Sequence, residues 1–271
     1  MVKIEANTEE FLSAIRALNG TGMSGVLHIE DDGEIWYYAS EPTDVGTVFM
    51  SVKNEDIKVE KGGILPLSSL DVEKISQKDT RDLLGKEIKI SYEEGKPIDI
   101  KGKGGGIRIF PLSPDEIGDV DDKDRIKFDK DGKWLLGGKE PSDIVIKISS
   151  SELKKAVKIL SIADVDYVDY NFKTKGDSEC ISGHHGEGNT KGYISKTKVS
   201  AKVEGADKVV SFPKLFVDVL KLFREGDITG YSHTDIDGEY VPIVVFVQEN
   251  EEEGLKERIV FAIAGKIDIG E

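Results

Sequence analysis

Apolar positions along the chain follow two rhythms, one helical and one alternating. Between Asn7 and Leu18 they fall at Phe11, Ala14, Ile15 and Leu18, which places them on one face of a helix. Asn7 or Thr8 supplies the N-cap, Glu9 and Glu10 put acids in the first turn, and Asn19-Gly20 supplies the stop. Ser149–Leu160 repeats this plan. Leu153, Ala156, Val157 and Leu160 each lie 142 positions beyond a member of the first stripe, as Ser150 does beyond Thr8.

A second pair of helices is predicted over Pro66–Leu84 and Ser211–Arg224. Leu67, Leu70, Val72 and Ile75 in the first match Phe212, Leu215, Val217 and Leu220 in the second, at an offset of 145. Short β-type runs separated by turn residues fill the rest: Val26–Glu30, Ile35–Ala39 after Asp32-Gly33, Val45–Val52, Glu87–Tyr92, Ile107–Phe110, Tyr167–Lys173, Ile243–Gln248 and Arg258–Ala264. The chain thus runs twice through helix, strands, helix, strands, a structural repeat. The expected class is α+β, with two similar domains, 1–111 and 143–271, each of two helices packed on antiparallel sheets. Residues 112–142 form a long charged connector with no regular structure beyond a turn at Asp131-Gly132.

Composition bounds the function. With 38% apolar and 33% charged residues, the 271-residue chain has the make-up of a soluble globular protein. Apolar runs such as Val241–Val247 fall far short of the ~20 residues of a membrane span, and Met1–Glu5 carries no signal core, so an intracellular protein without membrane partners is expected. The single cysteine, Cys180, excludes an internal disulfide.

A net charge of −15 argues against nucleic acid, because phosphate contacts need Lys and Arg. Placement changes that picture. Lys154, Lys155 and Lys158 lie off the apolar stripe of their helix, and Lys74, Lys78 and Arg81 fall on one face of Pro66–Leu84. Lys214, Lys221 and Arg224 recur along Ser211–Arg224, while the first helix offers only Arg16. The plainer alternative is a set of solvated faces, since Asp71, Glu73, Asp79, Asp82 and Asp218 share these helices.

The last third decides between them by resemblance. Pro242-Ile243-Val244-Val245, followed by a strand ending Ala264-Gly265-Lys266-Ile267 and an acidic end, resembles the close of the proliferating-cell-nuclear-antigen family of sliding clamps. Ser211-Phe212 with Leu215–Asp218 resembles the family's last helix, and Arg108–Leu112 the strand that enters its interdomain connector. Gly265 stands where the family has proline, Asp44 where it has histidine, and the connector is longer than usual.

The resemblance implies a DNA-clamp fold, closed as a ring by three copies, that encircles double-stranded DNA without reading sequence. It implies no catalysis, cofactor or metal, and a role in DNA replication and repair. The basic residues named above, Arg16 included, would face the DNA. A pocket at Val45, Leu112, Ile117, Pro242, Ala264, Gly265, Lys266 and Ile267 would take short peptide motifs of a DNA polymerase, a flap nuclease and a ligase. A clamp loader would place the ring on DNA. In the plain alternative Pro242 merely starts an edge strand and Ile267 covers the core.

Other motifs carry less. Cys180-Ile-Ser-Gly-His-His-Gly-Glu187 is expected to be a polar hairpin loop, since adjacent histidines on extended chain point to opposite sides. Gly102–Gly106 lacks the Lys-Ser/Thr ending of a phosphate loop and leads into a strand, so a flexible turn is expected. Phe128–Gly132 lacks the acids of a calcium loop at both ends. Two rival functions remain: a clamp paralogue in a heterotrimeric ring, and a metal-dependent hydrolase built on His184 and His185.

Overall fold

The computed structural model describes residues 1–18, 27–40, 46–67, 69–111, 126–155, 158–159, 167–185, 191–213, 220, 223–236, 239–252 and 255–265. The chain divides into two compact units. The first contains Met1–Ala39, Met50–Asp122 and Glu249–Ile259; the second contains Ser40–Phe49, Lys123–Gln248 and Val260–Glu271.

The chain begins with β1 (Val2–Asn7) and α1 (Thr8–Leu18), then β2 (Leu27–Ile29), β3 (Glu34–Ser40), β4 (Gly46–Asn54), β5 (Ile57–Lys61) and β6 (Gly63–Leu65). It continues with α2 (Ser69–Ile75), α3 (Lys78–Leu84), β7 (Glu87–Tyr92), β8 (Ile98–Gly102) and β9 (Gly106–Ile109). Five strands form an antiparallel sheet in the order β5-β1-β7-β8-β9. Alternation sets its faces: Val2, Ile4, Ala6, Ile88, Ile90, Ile98 and Ile100 are buried, while Glu5, Lys58, Lys89 and Lys101 are exposed. Phe11, Leu12 and Ile15 of α1, Val72 and Ile75 of α2 and Leu84 of α3 are buried as well. Each such side chain contributes roughly 1.5–3 kcal/mol relative to exposure.

The chain goes on with β10 (Lys127–Phe128), β11 (Trp134–Leu136), β12 (Glu140–Pro141), β13 (Ile144–Ser149), α4 (Ser150–Leu153), β14 (Tyr167–Phe172), β15 (Ser178–His185) and β16 (Lys191–Val199). There follow β17 (Ala201–Glu204), β18 (Lys208–Pro213), β19 (Asp227–Ser232), β20 (Asp235–Ile236), β21 (Glu239–Tyr240), β22 (Ile243–Glu252) and β23 (Leu255–Gly265). One sheet runs β17-β13-β19-β22-β23 and another β16-β15-β14-β18. Aromatic rings fill the core. Phe212 lies edge-on to Tyr170 at 5.5 Å and stacks on Phe246 at 6.0 Å and Phe261 at 6.3 Å.

The repeat is visible in the hydrogen bonding. β1 lies between β5 and β7, and β13, 142 positions on, lies between β17 and β19. Ile4 faces Val59 and Ile90; Ile146 faces Val203 and Gly230. Each of these strands turns straight into a helix. Asn7 Oδ1 accepts from the amides of Glu9 (2.9 Å) and Glu10 (3.4 Å), and Ser149 Oγ accepts from Glu152 N–H at 3.3 Å. Thr8 N–H donates to Lys86 carbonyl at 2.9 Å, and Ser150 N–H to Gly226 carbonyl at 2.8 Å.

Several expectations need correction. Pro66–Leu84 is not one helix: Gln77 is extended (φ −65°, ψ 147°), so α2 and α3 are separate. The Lys74 carbonyl accepts from Gln77 N–H at 3.3 Å and the Thr80 hydroxyl at 3.0 Å, local bonds that replace a continuing helix. The common face assumed for Lys74, Lys78 and Arg81 is therefore absent. Phe212 belongs to β18 and not to a helix; residues 214–219 lie outside the described residues. Of the helix expected over Ser149–Leu160, α4 covers Ser150–Leu153; Lys154 keeps a right-handed helical backbone (φ −73°, ψ −1°), with Lys154 N–H donating to the Ser150 carbonyl at 2.9 Å and Lys158 N–H to the Lys154 carbonyl at 3.4 Å, while residues 156, 157 and 160 lie outside the described residues.

The connector is not structureless. Its last part is a three-stranded sheet, β10-β11-β12, with Asp131-Gly132 at the first turn as expected. Asp129 Oδ1 holds that turn by accepting from the amides of Asp131 and Lys133, both at 2.9 Å. Buried Trp134 packs edge-on to His233 at 5.2 Å, and Phe128 lies edge-on to Tyr231 at 6.4 Å, so this small sheet covers apolar residues of β19 and the turn after it. Cys180–His185 is strand rather than loop, the end of β15 where it pairs antiparallel with β16; residues 186–190 lie outside the described residues.

Gly102–Gly106 is the expected turn, but it is packed rather than flexible. A Cβ on Gly102 would overlap the carbonyl of Leu84 at the end of α3, so only glycine permits that approach.

Candidate DNA-facing and partner-binding sites

The basic positions fall into two groups once their partners are known. Lys74 and Lys78 are exposed, at the end of α2 and the start of α3. Arg81 is not a spare charge: its Nη1 lies 3.0 Å from Glu9 Oε2, which ties α3 to α1. Arg16 lies in α1, and the surroundings of its side chain fall outside the described residues.

In the second unit Lys154 Nζ donates to the carbonyl of Phe223. Lys155 Nζ bonds Glu152 Oε2 at 2.6 Å and the carbonyl of Lys198 at 2.7 Å. Glu152 also accepts from Ser200 N–H at 2.8 Å. Burial raises the Glu152 pKa, but Lys155 and the Ser200 amide outweigh it and hold the carboxyl below its ordinary value. These two lysines therefore brace the start of the helix, whereas Lys158 is exposed. The backbone of Arg224 is bound on both sides by the Gln248 amide, N–H to Oε1 at 2.8 Å and Nε2 to O at 2.9 Å. Lys214 and Lys221 lie outside the described residues.

Of the pocket positions, Pro242 is half-buried immediately before β22, and Ala264 and Gly265 end β23. Val45, Leu112, Ile117, Lys266 and Ile267 lie outside the described residues, so the set is not brought together among the described residues.

Two residues without a sequence motif of their own stand at the His233–Val241 excursion that leads into Pro242. Lys208 is 2% exposed, and its Nζ donates to the carbonyls of His233, at 2.8 Å, and Val241. Burial pushes its pKa down to about 8, against a smaller upward pull from Asp143. Trp134 is the second, seated on His233. The signal for Lys208 was its parity: it alternates inward with Val210 and Phe212, both buried, while Val209 between them points out.

Burial pushes the Cys180 thiol up to about 12, far from a reactive thiolate. Among the described residues no three His, Cys, Asp or Glu side chains are placed to share a metal ion. Among the same residues no helix is long and apolar enough to cross a membrane.

Neither protein-family models nor curated proteins match the sequence. Solved structures do match the fold. The DNA polymerase III beta subunit of Thermotoga maritima aligns with a TM-score of 0.63 at 13% identity, over 100% of this chain and 66% of that one. The PCNA of A. fulgidus, solved with the C-terminal region of FEN-1 bound, aligns with a TM-score of 0.64 at 15% identity, over 99% of both chains. The proliferating cellular nuclear antigen of Entamoeba histolytica aligns with a TM-score of 0.60 at 13% identity, over 98% of this chain and 99% of that one. The chain thus spans about two thirds of the bacterial subunit and nearly all of each PCNA chain. It has the α+β fold of the sliding clamps.

Proposed function

We propose that this chain is the subunit of a DNA sliding clamp, a non-enzymatic ring that encircles duplex DNA and tethers DNA polymerase and other replication and repair proteins to it. The observation that carries this reading is the clamp fold over the whole chain, built from a repeat that starts a helix at Thr8 and again at Ser150. A clamp does no bond chemistry. It raises the local concentration of its partners at their site of action. Holding DNA while sliding calls for several weak phosphate contacts and no base readout. Exposed lysines such as Lys74 and Lys78 suit this, as mobile point charges. The acidic remainder of the chain, at net −15, disfavours DNA elsewhere on the surface. The protein acts where DNA is, inside the cell.

Three copies close the ring, each contributing domains 1–111 and 143–271 joined by 112–142. Among the described residues, β9 ends a sheet of the first unit and β16 ends a sheet of the second. Pairing one with the other on the next copy is a heterologous contact that closes on itself. Phe110, 78% exposed just after β9, would be covered by it. The peptide motifs of polymerase, flap nuclease and ligase enter the pocket that includes Pro242 and Ile267, and a clamp loader opens the ring. Light scattering at tens of micromolar protein and physiological salt is expected to give the mass of three chains. A monomer under those conditions contradicts the ring.

A further inference from the structure

Lys208 is a buried cation at the base of a hairpin. The chain leaves β19 at Ser232, runs through His233, pairs β20 with β21, and returns through Val241 to Pro242 and β22. The carbonyls of His233 and Val241 mark the two ends of that excursion, and the Lys208 ammonium binds both. Three segments therefore converge on one group. The carbonyl of Val241 belongs to the peptide bond that leads directly into Pro242. His233 carries the ring on which Trp134 of the connector sheet is seated. Asp143, which follows that sheet, accepts from the amide of Thr234 at 2.9 Å and its hydroxyl at 2.8 Å, on the residue next to His233.

We propose that Lys208 is a positioning residue for the partner-peptide pocket: it closes the neck of the 233–241 hairpin, and so fixes both the entry to Pro242 and the seat of the connector sheet on His233. The proposal rests on the reading of Pro242 as a pocket residue. Burying an ammonium is costly unless its donors are used. A chain that needed only an inward residue at this strand position has Val210 and Phe212 as its models. The lysine instead spends its donors on two carbonyls at the hairpin's ends. Charged groups among the described residues act on it and on its neighbours. Asp143 attracts it, His233 is kept below its ordinary pKa chiefly by burial, and Glu140 lies near that ring. Asp207, which precedes its strand, is held by Thr174 and Lys173. A neutral amine retains two N–H donors, enough for two carbonyls, so the neck stays closed on either side of its titration.

The test uses the full chain and a synthetic peptide carrying the C-terminal region of A. fulgidus FEN-1, labelled for fluorescence anisotropy. Lys208→Met keeps the length and removes the donors. It should bind the peptide at least about tenfold more weakly than wild type. Trp134 emission should shift to longer wavelength while the oligomeric mass stays the same. Lys208→Gln keeps an NH2 with two donors, on a carboxamide, and should recover part of the affinity; it serves as the readout if the Met variant does not fold. Wild-type affinity in the Gln and Met variants, with Pro242→Ala weakened, overturns the positioning role and leaves the pocket standing. A wild-type chain that does not bind the peptide removes the pocket reading, and this proposal with it.

Discussion

Lys155 and Glu152 hold each other one helical turn apart, Nζ to Oε2 at 2.6 Å, with both side chains largely shielded from solvent. The pair also closes onto the β16–β17 corner through the carbonyl of Lys198 and the amide of Ser200. A lysine that looks like a surface charge in the sequence is here a strut between a helix start and a sheet.

Lys155→Ala should therefore destabilise the fold by roughly 1–2 kcal/mol, because it strips a half-buried carboxylate of its cation. Lys74→Ala, at the exposed end of α2, should change stability by less than about 0.5 kcal/mol. Urea midpoints at neutral pH check both. The effect should fade in acid. Glu152 titrates lower in the folded chain than in the unfolded one, so its contribution is complete above its ordinary value of 4.5 and vanishes as pH falls through the folded value. Equal urea midpoints for the two variants would mean that the strut carries no load.

Lys208 predicts the opposite trend at high pH. Its folded pKa, about 8, lies below the ordinary 10.5, so between those values the unfolded chain binds the extra proton. Stability then rises with pH. The cost of burying the charge is present in full below about pH 8 and is relieved as pH climbs towards 10.5. The stability advantage of wild type over Lys208→Met should grow by roughly 1–3 kcal/mol between about pH 7 and about pH 10, by urea denaturation. A constant difference would place the ammonium in contact with water.

The exposed lysines should govern DNA binding instead. Lys74→Ala, Lys78→Ala and Lys158→Ala combined should lower affinity for duplex DNA equally for unrelated sequences. The slope of log K against log salt should fall by about one unit for each phosphate that is no longer neutralised. Lys127→Ala with Lys130→Ala, in the connector sheet, should leave that slope unchanged. The reverse result would make the helix lysines ordinary solvated surface.

What the sequence disclosed and what it hid divide along physical lines. Periodicity is local, so it found α1, β7 and the 142-residue offset between the two units, and the Asn7 cap is a short-range device with a clear signature. It failed where a local competitor decides the outcome. Gln77 breaks a helix whose apolar spacing runs on, and Phe212 fits a helical stripe as well as the strand it occupies. The basic faces were legible as positions but not as free charges, because the partners of Arg81 and Lys155 come from Glu9 and from the Lys198 carbonyl, distant in sequence. Lys208 was hidden by composition, since one lysine looks like another until strand parity turns it inward. The resemblance in the last third supplied the functional reading, which the strongly acidic chain alone opposed.

Topological retention tests the central claim most directly. Labelled protein is allowed to thread onto linear duplex from an open end, both ends are then blocked with biotin–streptavidin, and the salt is raised to about 0.5 M, where phosphate contacts alone no longer hold. A ring predicts that the protein stays on the blocked duplex and leaves when one block is removed by restriction cleavage. Dissociation at the same rate from blocked and open duplex would contradict a ring around DNA.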